Sequence, residues 1–391
     1  MKKNKGRRVA GLVLAERFSG RREECAALLP IRRVSALEQI VTRMRGAGVR
    51  DILVVTGDHE GMIRKEAVRL GCSAIFNPAY ESGMYSGILA GVREIQGYAE
   101  SFFLMYSGAP LVKTATYKSL INAFYECSGN PDIVYPSFGG LRGNPPLIGR
   151  AMIDPILAWK GESGLRGLLA EYSHSSMEAP TGDRAIMLRI DTTEGYADLR
   201  RYAKYEAFPD EEECGELVMM AGTPARAVRH MRVVARCGML ISDALEKSGV
   251  KLNRDLLLSA CLLHDLAKGE KFHEAKGARW LRKMGYKEVA ELVASHKDLP
   301  RGSVGGEAEI LYLSDKITDG ETVSTLSERL KEMEERFNPN GGALSAARRR
   351  IKRASGIQRR IEKITGISLG EMLSCKGATT DARAVFQVLS E

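Results

Sequence analysis

The chain has 391 residues, too many for one small module and enough for two or three domains of about 100–200 residues each. Hydrophobic residues make up 44% and charged residues 27%, a balance that excludes global disorder, and no apolar run approaches the roughly 18 residues a membrane span needs. The net charge of +9 is local: Lys2, Lys3, Lys5, Arg7, Arg8 and segment 348–363 carry more than the whole excess, so the body is not basic and nucleic acid is not expected as a partner.

From Val9 to about Tyr205, short β-rich runs alternate with helical stretches. The pattern predicts strands over Val9–Ala15, Asp51–Gly57, Ser73–Pro78, Ser101–Gly108, Asp132–Phe138 and Arg184–Asp191, with helices over 35–46, 59–70, 82–96 and 114–129. Strand–helix–strand repetition implies an α/β, Rossmann-like domain with a mostly parallel sheet, whose ligands sit beyond the carboxyl ends of the strands. Residues 206–222, rich in acid around Asp210, Glu211, Glu212 and Glu213, read as a linker. After Thr223 and Pro224 the strand patterns vanish, and an all-α domain over 223–320 passes into a helical extension over 321–391. That extension carries an apolar stripe of Ile351, Ala354, Ile357, Ile361 and Ile364 beside a basic cluster, read as packing and surface.

Seven scattered cysteines with no Cys-x-x-Cys pair fit neither a disulfide framework nor a zinc ribbon, and the protein is expected to be cytoplasmic. The histidines are more telling. Four of the six, His230, His264, His273 and His296, fall within 67 residues. The segment Leu256–Lys268 is apolar almost all round a helix, which predicts burial, yet it contains His264, Asp265 and Lys268. Burying these costs several kcal/mol, of order 2–7 for even an unpaired neutral polar group, unless they are paired or hold a metal. Lys268 lies one turn beyond His264 and Asp265, so the three groups can converge. A divalent ion satisfies the imidazole and carboxylate together, with His230 and Asp315 completing the shell. Such ligands suit manganese, iron, cobalt, nickel or zinc, and magnesium less well.

His230, His264-Asp265 and Asp315, with the intervening LLHDLAKG and HEAKGARWL, resemble the HD-domain metal-dependent phosphohydrolases. The resemblance implies an all-helical fold, one or two divalent metals and hydrolysis of a phosphate ester or anhydride, often of a nucleotide. It assigns His230, His264, Asp265 and Asp315 to the metal, Asp265 also to catalysis, and His273 and His296 to a second ion or to phosphate, while Lys268 is placed to hold a phosphate oxygen as a point charge. The adjacent histidine pair of some two-metal relatives is absent, so one metal is expected.

The first domain is similar to the MobA-like nucleotidyltransferases, especially the molybdenum-cofactor cytidylyltransferases. The resemblance rests on LVLAERFSGRREECAALLP, NPAYESGMYSGILAGV, RGNPPLI, GESGLRGLL and IDTTEGY, in family order. It implies a ligand site of Arg21, Asn77, Gly83, Ser86, Arg142 and Asp191, with magnesium and a nucleotide or molybdopterin as ligands. Several family groups are missing. Glu16 and Arg17 stand in the Leu-Ala-Ala-Gly stretch, Ala26 replaces a lysine, Asn144 a histidine, and Gly108 the aspartate of Asp-x-Pro. The first change crowds the phosphates, the second removes a cation that neutralises developing charge, and the last removes a metal ligand. Arg17, Arg21 and Arg22 are an alternative source of positive charge.

These residues together predict a phosphohydrolase acting on a small-molecule phosphate, nucleotide-like or related to the pterin cofactor, with a degenerate transferase domain as its ligand-binding module. The rivals are an active nucleotidyltransferase with an accessory HD domain, and a non-catalytic binding or sensor protein. Substrate, metal, oligomeric state and the coupling of the domains are not fixed by sequence.

Overall fold

The computed structural model describes residues 8–16, 25–129, 131–161, 163–299, 306–337 and 341–374. Two compact units divide the chain between Glu206 and Ala207, and each is taken by itself.

The first unit opens with β1 (Val9–Ala15), a ribbon of β2 (Pro30–Ile31) and β3 (Val34–Ser35), α1 (Ala36–Gly46), β4 (Asp51–Thr56), α2 (Glu60–Arg69), β5 (Ser73–Phe76) and α3 (Met84–Ile95). It continues with β6 (Ser101–Tyr106), α4 (Thr114–Glu126), β7 (Ile133–Phe138), β8 (Leu141–Arg142), β9 (Leu147–Gly149), α5 (Ile153–Ala158), α6 (Gly164–Glu171), β10 (Ser176–Pro180) and α7 (Thr193–Tyr205). The main sheet runs β10–β7–β9–β6–β1–β4–β5. β6, β1, β4 and β5 are mutually parallel, while β9 lies antiparallel to both β6 and β7.

Both faces of this sheet are buried, and the two-residue side-chain period divides β1 between them. Val13 and Ala15 join Leu37, Ile40, Ile63 and Tyr117 from α1, α2 and α4 on one face. Leu12 and Leu14 join Ile88, Val92, Ile153 and Leu165 from α3, α5 and α6 on the other. The chain leaves β1 for β4 and β5 on one side and returns to β6 on the other, which opens a crevice at the carboxyl ends of β1 and β6.

One expected strand is absent. Residues 184–187 form a 3₁₀ turn, because the Asp183 carboxylate accepts from Ala185 N, Thr116 Oγ1 and Lys113 N and so draws the chain away from the sheet. The sheet is completed instead by β9 and β10, short segments without a clear apolar alternation.

The second unit holds α8 (Glu211–Met220), α9 (Ala225–Lys247), α10 (Arg254–Leu263), α11 (His273–Met284), α12 (Lys287–Ser295) and α13 (Glu307–Lys316). A two-stranded ribbon of β11 (Thr318–Asp319) and β12 (Thr322–Val323) interrupts the helices before α14 (Leu326–Phe337), α15 (Gly341–Thr365) and α16 (Leu369–Ser374). Its core gathers Val234 and Ile241 of α9, Leu257 and Cys261 of α10, Val293 of α12, Leu311 and Leu313 of α13, and Ile351, Ala354, Ile357 and Ile361 of α15. Ile364 lies off this stripe, 52% exposed. Arg348, Arg350 and Arg360 of the basic cluster pair with Glu334, Asp298 and Glu309, so much of that charge is spent within the unit.

The acidic stretch 206–222 is no linker. Asp210 accepts from Glu213 N at 2.9 Å and donates its own N–H to the Glu213 carboxylate at 3.2 Å, a capping box that starts α8. The acids gather at the helix N-terminus, where the macrodipole favours negative charge, and Cys214 and Leu217 enter the core. The helix expected through Lys268 stops at Leu263, and residues 264–269 form a tight turn that ends at Gly269, φ 100°. Removing the cap by Asp210→Ala should cost the second unit about 1 kcal/mol in a urea titration followed by Trp280 fluorescence in a Trp159→Phe background. An unchanged midpoint would show that the box contributes nothing.

Candidate metal centre and first-unit cleft

The second unit is buried around helix ends that carry charged and imidazole groups. His230 sits near the start of α9, and His264 caps the C-terminus of α10. Asp265 opens the following turn, His273 begins α11, His296 caps the C-terminus of α12 and Asp315 lies in the last turn of α13. The carbonyl ends of α10, α12 and α13 thus meet at the cluster, and their dipoles favour a cation there.

The orientation of the rings is more informative than their proximity. His264 Nδ1 donates to the Cys261 carbonyl at 2.9 Å, His296 Nδ1 to Val293 O at 2.7 Å and His230 Nδ1 to Gly320 O at 3.1 Å. A carbonyl oxygen can only accept, so each of these Nδ1 atoms donates, which leaves Nε2 to donate to a carboxylate, as His230 does to Asp315 Oδ1, or, once deprotonated, to ligate a metal. His273 points Nδ1 at the Glu274 carboxylate, 3.7 Å away, and Lys297 holds that carboxylate at 2.7 Å. All four Nε2 atoms face the aspartates. His230 Nε2 is 3.2 Å and His264 Nε2 3.5 Å from Asp315 Oδ1, His264 Nε2 is 3.8 Å from Asp265 Oδ2, and His273 and His296 Nε2 are 3.1 and 3.6 Å from Asp265 Oδ1.

Two groups that could hold a metal result, His230–His264–Asp265 and Asp265–His273–His296, with Asp265 common to both. Fixing the distal nitrogen with a hydrogen bond while the other faces inward is what a metal-ligating histidine needs. Among the described residues, His264 Nε2 and Asp265 Oδ1 are buried without a hydrogen-bond partner, a cost of about 1–3 kcal/mol each unless a cation takes them up. The residues present therefore fit a divalent metal, and their mixed nitrogen and oxygen donors are those of the transition ions.

Two lysines hold the outer carboxylate oxygens. Lys268 Nζ donates to Asp265 Oδ2 at 2.8 Å and remains 48% exposed. Lys316, only 7% exposed, pairs with Asp315 Oδ2 and lies over the Tyr312 ring. Burial alone would push both carboxyls up. His273, His296, His264 and Lys268 overcome it at Asp265, as Lys316, His230 and His264 do at Asp315, and both acids lie well below the usual carboxylate range. Lys316, Glu274 and Lys297 were missed in the sequence because ordinary helix-surface charges give no sign that they support ligands.

In the first unit, a cleft of about 1030 Å³ opens at the carboxyl ends of β1 and β6. Gly83, Arg142 and Asp191 line it, together with Glu16, Ala26, Gly108, Tyr106, Tyr135 and Arg189. Asn77 and Ser86 are not among its lining residues. The Asn77 amide donates to Glu16 Oε1 at 2.5 Å and to Ser86 Oγ at 2.7 Å, and Ser86 Oγ donates to the carbonyls of the 79–83 loop. Arg142 donates to Glu178 at 2.8 Å and stacks on Tyr135. Asp191 stands beside Gly108, with Oδ1 3.8 Å from where a Cβ of residue 108 would lie. Arg21 lies outside the described residues.

Glu16 is the least expected group here, 7% exposed and packed against Gly87, where a Cβ would collide with its carboxylate. Burial pushes its carboxyl above the ordinary value, and the Asn77 amide only partly offsets this. The fold therefore binds the Glu16 proton more tightly than the unfolded chain does, so its stability falls as pH rises from the ordinary carboxylate value through the raised one. Glu16→Gln, neutral throughout, should raise the first unit's unfolding midpoint at pH 7 and leave it near wild type at pH 4. Equal shifts at both pH values would contradict the assignment.

Comparison with known proteins agrees with both units. Residues 11–176 match the model of the MobA-like NTP transferase domain, and residues 227–335 match that of the HD domain. No curated protein matches the chain. Among solved structures, Rv0371c from Mycobacterium tuberculosis is 21% identical, with 50% of this chain and 98% of that one covered and a TM-score of 0.42. A nucleotidyl transferase from Methanothermobacter thermautotroptrophicus is 17% identical over 51% of this chain and 100% of that one, TM-score 0.45. The molybdopterin-guanine dinucleotide biosynthesis protein A of Archaeoglobus fulgidus is 14% identical over 50% and 98%, TM-score 0.38. The chain carries a MobA-like NTP transferase domain followed by an HD domain.

Proposed function

We propose that the second unit is a metal-dependent phosphohydrolase acting on a phosphate ester or anhydride, and that the first-unit cleft binds a nucleotide-like or pterin-like ligand without transferring it. The observation that carries the first statement is the convergence of four imidazole Nε2 atoms on Asp265 and Asp315, with the Nδ1 atoms of His230, His264 and His296 hydrogen-bonded to backbone carbonyls. His230, His264, Asp265 and Asp315 would hold the ion, and His273 and His296 would hold a second ion or a phosphate oxygen. A divalent metal bound there acidifies water and polarises a phosphoryl oxygen.

The chain's own residues do the rest. Lys268, half-exposed and paired with Asp265, carries a point charge that can swing onto a phosphate oxygen. Lys316, buried against Asp315, stays in place and keeps the carboxylate's other oxygen turned inward. The Glu274 carboxylate lies 3.7 Å from the outward nitrogen of His273 and is held by Lys297.

For the first unit, the support is chemical. A desolvated carboxylate at Glu16, alanine at position 26 and glycine at 108 line a cleft whose relatives carry a phosphate-binding loop, a lysine and an acid. Asp191 beside Gly108 favours the second reading, a residual nucleotidyltransferase, because it keeps one carboxylate where a magnesium ligand is needed.

Phosphate release from a panel of phosphate esters and anhydrides, with manganese, cobalt, nickel, zinc or magnesium, tests the first reading. Wild type should release phosphate, and His264→Ala and Asp265→Asn should each lower the rate by at least about 100-fold, the effect expected on losing a metal ligand or its support. Equal turnover by Asp265→Asn would contradict the site. Pyrophosphate formation from CTP or GTP with magnesium and molybdopterin would establish the transferase instead.

A further inference from the structure

Phe272 breaks three local preferences at one position. Its backbone lies in the left-handed region, φ 54° and ψ 45°, which a bulky side chain rarely adopts. It occupies the N-cap of α11 and makes no side-chain cap, where serine, threonine, aspartate or asparagine is favoured. Its ring is 82% exposed, although the unit has an extensive apolar core. Glycine or asparagine would take this conformation with less strain.

The position coincides with the cluster. Phe272 directly precedes His273, whose Nε2 is 3.1 Å from Asp265 Oδ1, and it follows the turn that carries Asp265 and Lys268. The Phe272 carbonyl accepts from Lys276 N at 3.0 Å, so the first turn of α11 holds the strained backbone in place. Backbone strain of this kind clusters at ligand-binding positions, and here it adjoins the converging side chains. Lys268 and Lys271, both exposed, lie within four residues of Phe272 in the chain, and Lys268 reaches Asp265 of the cluster.

We propose that Phe272 forms an aromatic subsite at the lip of the His/Asp cluster, on which the planar ring of a ring-bearing phosphate stacks while its phosphate meets the cluster and Lys268. The ligand class is a phosphate ester joined to a heteroaromatic ring, as in nucleoside and pterin phosphates. A simple sugar phosphate would gain nothing from the ring. This deepens the phosphohydrolase reading and rests on it.

Adenosine 5′-monophosphate and ribose 5-phosphate separate the two contributions, since they share the phosphate and the sugar and differ in the base. With the manganese-loaded full chain, Phe272→Ala should raise KM for the nucleotide about tenfold, the scale of one lost stacking contact, and leave ribose 5-phosphate within about twofold. Phe272→Trp should restore the nucleotide value. Phe272→Gly should lose the same selectivity without a fall in Tm, because it relieves the backbone, so misfolding cannot account for the loss. Equal effects on the two substrates, or none on the nucleotide, would overturn the subsite while leaving the hydrolase standing. If wild type turns over neither, the phosphohydrolase reading fails on these substrates, and calorimetric binding of the same two molecules decides the subsite. Tighter nucleotide binding that Phe272→Ala abolishes supports it, and equal binding of the two, or no binding of either, ends it.

Discussion

Four imidazoles turned one way around two buried carboxylates are the constraint on which the second unit depends. The orientation of three of the rings is set outside the pocket, by the carbonyls of Cys261, Val293 and Gly320. Inside, it leaves the Nε2 atoms facing carboxylate oxygens, and His264 Nε2 and Asp265 Oδ1 go without a hydrogen-bond partner. Lysines occupy the far oxygens of both acids, and three helix C-termini add their partial negative charge. The inward imidazoles, the unpartnered atoms and the helix ends favour a cation, while the two lysines neutralise part of the acids' charge. Burial keeps bulk water from screening the charges, which strengthens every interaction with the ion and with the anion brought to it.

The first unit has the sheet architecture of a MobA-like domain, while several residues of its cleft depart from the family pattern. Parallel β6, β1, β4 and β5 still open a cleft at their carboxyl ends, and Gly83, Arg142 and Asp191 still line it. Glu16 lies at the end of β1, and its carboxylate takes up the space over Gly87 and the hydrogen-bonding capacity of Asn77. A desolvated acid in that place disfavours a polyphosphate, whereas the tyrosines and arginines of the cleft still suit a flat ring carrying fewer charges.

Much of this was legible in the sequence. The period of apolar residues located four of the first unit's helices and five of its strands, and the His230, His264-Asp265 and Asp315 spacing pointed to ligands from separate helices. Other features depended on long-range contacts. Arg184–Asp191 has the composition of a strand, but the Asp183 carboxylate bends it into a turn. The acids of 210–213 look solvated until Asp210 and Glu213 are seen to cap one another. β9 and β10 are too short or too polar to stand out, and pairing with β7 creates them. Glu16 was legible only as a departure, because its burial depends on the space left by Gly87, 71 positions away in the chain. Phe272 carries no sequence signal at all, since its left-handed backbone is a property of the turn that ends α10.

The most direct test is anomalous diffraction from crystals soaked in or grown with manganese. The account predicts a peak within coordination distance, about 2.0–2.3 Å, of His230 Nε2, His264 Nε2, Asp265 and Asp315, and none in a His264→Ala crystal prepared in the same way. Wild-type crystals with no peak among these four side chains, or with the rings turned so that Nδ1 faces inward, would contradict it.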